Sequence, residues 1–524
     1  MSETNKPLAL LSVTDKTGLP EFAKGLIELG YQLLSTGGTA KQLRDAGLEV
    51  TDVSEYTGSP EIMNGRVKTL HPKVHGGILF DRSNPSHIVD TEKGGIRAID
   101  IVAVNLYRFE DEAVAKKLPL ESAIEHIDIG GPTMLRAAAK NWEYSLAVIA
   151  PQDYPAVLDR IKNKSLTKEF RIALAAKVFA AMSDYNFAIS QYLQQASEES
   201  PVDMPQTLSP KLSKVQSLRY GENPHQKAGF YSIAGQEGFA DAQVLQGKEL
   251  SYNNLLDLDA ACGLVSEFKD MPFVAVIKHT NPCGASAGLK GESLVNIYKR
   301  ALTGDPKSAF GGIIATNQTI DGETAQAIVE VFTECIAAPD FTDDALKIFA
   351  TKKNLRLLRT PFIKQGHNPN SNYSMRTIRG GMLVQSQDVE AVTVNEWKSV
   401  TQTEADLFLT DLQFANRICK HVKSNAIVYA KDLMTITVGA GQMSRIDSAE
   451  FAAQKALGGS KILDGAVMAS DAFFPFRDTV DHAAKYGIKA IVQPGGSMRD
   501  QESIDACNEA NIAMVFTGER HFRH

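Results

Sequence analysis

Leu8-Ala9-Leu10-Leu11-Ser12-Val13 and Tyr31-Gln32-Leu33-Leu34-Ser35-Thr36-Gly37-Gly38-Thr39 decide the fold of the first part of this chain. Each is a short apolar run that ends in small polar residues. Between them Leu19, Phe22, Ala23, Leu26 and Ile27 recur at helical spacing, and Gly30 closes the helix. A second helix follows the glycines, through Leu43 to Gly47. Further strands are expected at 99–106 and 144–150. Strands alternating with helices imply a doubly wound α/β domain, its parallel sheet covered on both faces.

Residues 165–193 read as helical. Residues 194–211 then turn polar and rich in Ser, Pro and Glu, as linkers do. The remainder is again mixed α/β, with strands expected at 273–278, 313–316, 426–430, 435–438, 466–469, 490–492 and 513–516. Two domains are expected, 1–195 and 196–524. Within the second, Arg300-Ala301-Leu302 ahead of Ser308-Ala309-Phe310 is echoed by Lys455-Ala456-Leu457 ahead of Asp471-Ala472-Phe473. Each pair follows a polar strand-end loop, 278–286 and 439–447. The echo suggests two related subdomains.

The 524 residues carry 55 Lys and Arg against 62 Asp and Glu, a net charge of -7. That balance argues against a basic nucleic-acid surface and leaves room for local anion pockets. The five cysteines are dispersed and odd in number, which fits a reducing compartment and no disulfide framework. No basic stretch followed by an apolar run opens the chain, and no apolar run approaches the ~20 residues of a membrane span. A cytoplasmic protein is expected, with neither membrane nor nucleic acid as partner.

The Ser35–Thr39 segment joins a strand to a helix. Glycines let backbone N–H groups approach an anion, and the helix N-terminus favours negative charge. Ser12 and Lys16 end the neighbouring strand and belong beside it. Gly65-Arg66-Val67-Lys68-Thr69-Leu70-His71-Pro72-Lys73-Val74-His75-Gly76-Gly77 is the densest polar segment of this half. His71 and His75 have the spacing of metal ligands on a helix. Pro72 and the glycines argue against a helix there, and no acidic partner is near. Asn105-Leu106-Tyr107 ends a strand, and Asp128-Ile129-Gly130-Gly131-Pro132 leads into a helix ending Lys140-Asn141. Tyr, carboxylate and Lys suit proton movement around a polar substrate.

In the second half, Arg219 and Tyr220 open the domain and suit a phosphate and a ring. The apolar run 274–277 delivers Lys278 and His279 into a turn. His is the usual base near neutral pH, and Lys stabilises a developing oxyanion. Pro282-Cys283 matches half of a zinc-deaminase signature, which also needs His-x-Glu and a second Cys three residues on. Position 286 is Ser, and none of the eleven His begins a His-x-Glu. Residues 424–426 and Gly439-Ala440-Gly441-Gln442-Met443-Ser444-Arg445 bracket a hairpin, with Arg445 as an anion partner. The chain has no P-loop motif.

Together these segments resemble the bifunctional family that joins AICAR transformylase to IMP cyclohydrolase. The resemblance runs from about Leu10 to His524, through the motifs just quoted, Leu-Arg-Tyr-Gly-x-Asn-Pro-His-Gln at 218–226 and the final Phe-Arg-His. It implies a methylglyoxal-synthase-like N-terminal domain for cyclisation. A pair of cytidine-deaminase-like subdomains, without zinc, would perform formyl transfer. The implied substrates are AICAR, FAICAR and IMP, with 10-formyltetrahydrofolate as co-substrate and a homodimer as the assembly. Lys278, His279 and Asn425 are implied for formyl transfer, with Arg219, Tyr220, Asn254, Phe310, Gly311, Glu334 and Arg445 holding its ligands. Lys68, Tyr107, Asp128 and Lys140 are implied for cyclisation, with Ser12, Lys16, Arg66 and Ser35, Thr36, Gly37, Gly38 and Thr39 holding its substrate. Two departures flank the cyclisation set. Arg108 stands where Pro is usual, and Trp142 where His is common. A protein with one inactive half, or a nucleotide sensor, is the competing reading; binding alone does not need Lys278-His279.

Overall fold

The computed structural model describes residues 6–63, 66–106, 109–197, 204, 207–208, 210–233, 236–365, 373–389, 394–459 and 461–524. The chain divides into two compact units, Met1–Ser209 and Pro210–His524.

The first unit is built on a five-stranded parallel sheet. Its strands are β1 (Leu8–Ser12), β2 (Gln32–Ser35), β3 (Thr51–Asp52), β4 (Ile99–Val104) and β5 (Leu146–Val148), in the order β3-β2-β1-β4-β5. Leu8 and Leu10 pack on one face of β1 with Val102, Met134 and Val178; Ala9 and Leu11 pack on the other with Phe22, Leu26 and Tyr154. Burial on both faces explains why β1 reads as an unbroken apolar run. The order reverses beside β1, so the ligand crevice belongs at the carboxyl ends of β1 and β4.

The helices differ from expectation in three places. Gly37 and Gly38 are the first turn of the helix Gly37–Asp45, not a loop ahead of it. Residues Pro72–Leu79 do form a helix, against the sequence reading. Proline is favoured at a first helical position, His71 Nδ1 caps the helix by accepting from the Lys73 N–H at 3.1 Å, and Gly77 permits close packing on the Arg97 carbonyl. Finally, Lys168–Gln194, within the helix Lys168–Ser197, is long and apolar enough to cross a membrane by length and composition, which the sequence reading did not anticipate. Its Leu174, Ala175, Val178 and Met182 are buried in two cores of this unit and its Tyr185 in a third, so one side of the helix packs on the unit.

The second unit opens with the hairpin β6 (Leu212–Leu218) and β7 (Ala228–Ile233). A twelve-stranded sheet follows. Its first half comprises β8 (Gln243–Gln246), β9 (Phe273–Lys278), β10 (Asn281–Ala287), β11 (Gly312–Thr316), β12 (Thr333–Ala338) and β13 (Arg356–Arg359). A separate hairpin, β14 (Tyr373–Ile378) and β15 (Gly381–Ser386), precedes the second half. That half comprises β16 (Lys398–Ser399), β17 (Ile427–Lys431), β18 (Met434–Gly439), β19 (Val467–Ser470), β20 (Ala490–Gln493) and β21 (Ala513–Phe516).

The two halves repeat one plan. β9 pairs antiparallel with β10 and β11, and β12 and β13 then add in parallel. β17 pairs antiparallel with β18 and β19, and β20 and β21 add in parallel. Both hairpin turns have two left-handed residues, His279 and Thr280 in one, Asp432 and Leu433 in the other. β10 joins β18 edge to edge. One face of the sheet carries a core continuous through both halves, with Ala275, Ile277, Val428 and Val467 in it. The opposite face splits into one core per half.

The duplication is therefore present, but the sequence echo misaligns it. Ser308-Ala309-Phe310 precedes β11, whereas Asp471-Ala472-Phe473 follows the matching strand β19. Likewise 278–286 is a hairpin turn with its second strand, while 439–447 leaves a second strand. The true correspondence is carried by strand order and hydrophobic burial, which many Ala-rich sequences satisfy.

Candidate active sites

In the first unit a cavity of about 750 Å³ opens at the carboxyl ends of the strands. One wall is the glycine turn. Ser12 and Thr36 bring their hydroxyls within 3.4 Å of each other, and Thr39 Oγ1 is tied to the Val13 N–H and carbonyl. Thr36 places no side-chain cap on the helix Gly37–Asp45. Its first N–H groups are thus available to an anion. Cβ atoms built on Gly37 and Gly38 would lie 3.6 Å from Lys68 Nζ and 3.4 Å from Lys16 Nζ, so two ammonium groups flank this terminus.

The opposite wall carries Asp128. Its Oδ1 accepts from the Gly131 N–H at 3.0 Å, and its own N–H donates to the Tyr185 hydroxyl at 2.7 Å. Burial raises the carboxyl above its ordinary pKa; the backbone N–H groups of Gly131 and Gly130 and the Lys68 charge only partly offset this. A Cβ on Gly131 would meet Asp128 Oδ2 at 2.4 Å. Gly131→Ala should therefore displace the carboxylate, and a reaction in this cavity that relies on Asp128 should slow about 10–100-fold in steady-state kinetics, the scale of a displaced catalytic group.

Lys68 approaches Glu61 at 3.7 Å, and Arg66 is paired with Glu125. Both cations line the cavity with Ser12, Lys16, Thr36, Gly37, Gly38, Thr39 and Asp128. Two expected residues do not. Ser35 is fully buried and donates to the Leu11 carbonyl at 2.6 Å, which locks β2 to β1. Lys140 is exposed at the far end of the helix Gly130–Lys140, about 15 Å along its axis from Gly130. Trp142 is likewise absent from the cavity lining; it packs against the core with Lys168 over its ring at 5.7 Å. Tyr107 and Arg108 lie outside the described residues. His71 is a helix cap in contact with Ser59, so the His71–His75 pair is not arranged as a metal site.

Sequence reasoning missed Asn105 as a shaping residue. Its Oδ1 accepts from the Thr14 and Asp15 N–H groups at 2.6 and 2.9 Å, and its Nδ2 donates to the Asp15 carbonyl at 2.9 Å. It thus fixes the loop that carries Lys16. Only its place at a strand end hinted at this.

In the second unit, strand pairing gathers the expected residues at one end of the sheet. β11 and β18 flank the β9–β10 hairpin, so Phe310, Gly311 and Gly439–Arg445 arrive beside the His279 turn. Lys278 Nζ donates to the Gly311 and Phe310 carbonyls at 2.8 and 3.3 Å. His279 is exposed at φ 53, and the Thr280 N–H donates to Asp257 at 2.7 Å, which holds the turn. Asn281 bridges the two halves: its Nδ2 donates to the His279 carbonyl at 3.1 Å and its Oδ1 accepts from the Lys423 N–H at 2.9 Å. Asn425 then follows two residues on, its Nδ2 donating to the Gln442 and Met443 carbonyls at 3.0 and 3.2 Å.

Phe310 is 64% exposed and tilts against Phe332 with ring centroids 5.2 Å apart, an open aromatic face. Glu334 pairs with Arg356 at 3.1 Å. Arg219 lies over the Tyr220 ring at 5.7 Å. The turn after them touches Asn253, at the start of the helix Tyr252–Ser266, through the Glu222 carbonyl at 3.5 Å. Asn254 is not displayed: it is buried in a capping box with Ser251. Arg445 is buried as well, its Nε donating to Ser470 at 2.8 Å and its Nη2 to Asp471 at 2.7 Å. Two of its donors are thus taken. Asp471→Asn should strand that guanidinium and cost about 3–5 kcal/mol in the second unit's unfolding, measurable in urea. The roles of Asp257, Asn281 and Asp471 were not legible in the sequence because the contacts that define them reach 23, 142 and 26 positions away.

Cys283 donates its thiol to the Val276 carbonyl at 3.3 Å, and burial pushes its pKa up to about 12. It is a protonated packing thiol, not a thiolate. Among the described residues no group of three His, Cys, Asp or Glu is placed to hold a metal.

A family model described as the AICARFT/IMPCHase bienzyme matches residues 138–455, and one described as an MGS-like domain matches 18–133. The chain belongs to the AICARFT/IMPCHase bienzyme family. Its relatives include the bifunctional purine biosynthesis protein PurH of Oceanobacillus iheyensis, 49% identical over 519 residues, and that of Persephonella marina, 50% identical over 525 residues. Both alignments cover 98% of this chain and 99% of the relative. Among solved structures, ForH aligns at 35% identity with a TM-score of 0.34, covering 37% of this chain and all of its own. As a member of the bienzyme family the protein is a bifunctional enzyme of purine biosynthesis, an AICAR formyltransferase and an IMP cyclohydrolase whose formyl donor derives from folate.

Proposed function

We propose that the second unit, from within 196–524, transfers the formyl group of 10-formyltetrahydrofolate to the 5-amino group of AICAR. The first unit, within 1–195, then closes FAICAR to IMP. The amine of AICAR is a poor nucleophile because its lone pair is delocalised into the imidazole carboxamide. His279 accepts its proton as the new C–N bond forms, and Lys278 stabilises the negative charge on the formyl oxygen. Asn425 holds the reacting groups. Arg219 and Tyr220 hold the nucleotide, and Phe310 packs on a ring above Gly311. Glu334 sits at the folate side, and Arg445 orders the loop 439–445. The observation that carries this reading is the end-on convergence of Lys278, His279 and the Asn425 loop, bridged by Asn281.

In the first unit the carboxamide nitrogen of FAICAR attacks the formyl carbon and water leaves. The nucleophile is tethered, so orientation supplies much of the rate. The phosphate sits at the N-terminus of the helix Gly37–Asp45, held by Ser12, Thr36, Thr39 and Lys16, with Arg66 at the cavity rim. Asp128 accepts the amide proton and Lys68 polarises the formyl oxygen. Tyr107 joins this set as a proton donor. Lys140, exposed and outside the described lining of this cavity, is given no step here, and Ser35 and Asn254 act as framework. A cytoplasmic homodimer is the proposed working form.

Separate assays of the two half-reactions test the division of labour. Lys16→Ala is expected to raise the KM for FAICAR about 10–100-fold, as loss of a charged phosphate contact does, with kcat less affected. An unchanged KM would remove Lys16 from the phosphate site.

A further inference from the structure

A second polar cavity, of about 140 Å³, lies in the first unit at the opposite edge of its sheet. Tyr31 precedes β2, Asp100 is the second residue of β4 and Leu146 the first of β5, so this cavity sits at the amino ends of the strands. The substrate cavity lies at their carboxyl ends.

Asp100 is fully engaged. Its Oδ2 accepts from the Leu8 N–H at 3.0 Å and its Oδ1 pairs with Arg82 at 2.8 Å. Arg171 forms no ion pair among the described residues, although the Asp100 charge acts on it from a distance; its one hydrogen bond there is long, 3.5 Å, to the Trp142 carbonyl. Arg82 Nε is buried without a partner. Burial, then Asp100, raises the Tyr31 pKa, which keeps its hydroxyl a donor. Glu143 is exposed at the rim. The interior therefore sets two guanidiniums and a phenol against one carboxylate already spent on its neighbours. A buried donor without an acceptor is costly, and two half-buried like charges repel. Planar guanidiniums match the geometry of tetrahedral oxyanions. The volume is well below the ~300 Å³ lower range of pockets for organic ligands.

We propose that this cavity is a second anion site of the first unit, separate from its substrate cavity, which takes a phosphate-sized oxyanion between Arg171, Arg82 and Tyr31. The probe is radiolabelled inorganic phosphate, in equilibrium dialysis with the full-length protein saturated with IMP and AICAR to block the nucleotide phosphate sites. Wild type should bind one phosphate per chain. Arg171→Met should weaken that binding at least about 10-fold, the scale of one charge-assisted contact. Tyr31→Phe, which removes a single hydroxyl, should weaken it about 3-fold or more. Both variants should cyclise FAICAR at the wild-type rate, which shows the fold and the substrate cavity intact. No phosphate bound to nucleotide-saturated wild type would overturn the proposal. So would undiminished binding in both variants.

Discussion

His279→Ala is expected to lower AICAR formyl transfer by about 10³-fold or more while cyclisation of supplied FAICAR proceeds at the wild-type rate. General bases contribute about 10²–10⁴-fold, and a delocalised amine places the demand at the upper end. The side chain is exposed on a turn held by backbone contacts to Asp257 and Asn281, so its removal leaves the scaffold in place. His279→Asn would keep the size and some polarity and should not rescue the rate. Lys278→Ala should add a distinct signature, because its ammonium also ties down the Phe310 and Gly311 carbonyls. A looser β11 entrance should raise the KM for the folate donor as well as lower kcat. Normal formyl transfer by His279→Ala would remove the base from the mechanism.

Asp128→Asn is expected to do the converse: cyclisation falls about 10²–10⁴-fold and formyl transfer is untouched. The stability consequence has a definite sign. The folded-state pKa of Asp128 is raised by burial, so the folded form loses stability as pH rises from the unfolded carboxylate pKa through the folded one. The amide avoids that cost and still accepts from the Gly131 N–H. The variant should therefore unfold at the same or a higher urea concentration than wild type at pH 7. With Asp128 as the proposed base, the same shift should set the acid limb of cyclisation. It should lie above the ordinary carboxylate value of about 4, because a base must be ionised. Lys68 lowers the Asp128 pKa, so Lys68→Ala should move the limb to still higher pH as well as slow the reaction. A limb that stays put in Lys68→Ala would separate the two groups.

Much of this was legible in the sequence because the signals were local. The apolar runs that became β1, β4, β9 and β17 are buried on both faces and need no partner to be recognised. Lys278-His279 and the Ser-Thr-Gly-Gly-Thr turn carry their chemistry within a few residues of a strand end. What was lost depended on distance or on competing local signals. Pro72 and two glycines suggested a broken helix, yet proline suits a first turn and the glycines suit close packing. The short strands β12 and β13 were overlooked among helical patterns. The exposure of Lys140 and the burial of Arg445 follow from where a helix ends and from a carboxylate 26 residues away. Neither can be read from a motif, which fixes residue type and order but not direction.

The most direct test of two half-reactions in two units is complementation in one tube. His279→Ala and Asp128→Asn proteins are mixed with AICAR and 10-formyltetrahydrofolate, and the nucleotides are separated by chromatography. Neither variant alone should yield IMP at the wild-type rate; Asp128→Asn alone should accumulate FAICAR. The mixture should convert AICAR through to IMP. Loss of both half-reactions in either folded variant, with no IMP from the mixture, would contradict the account.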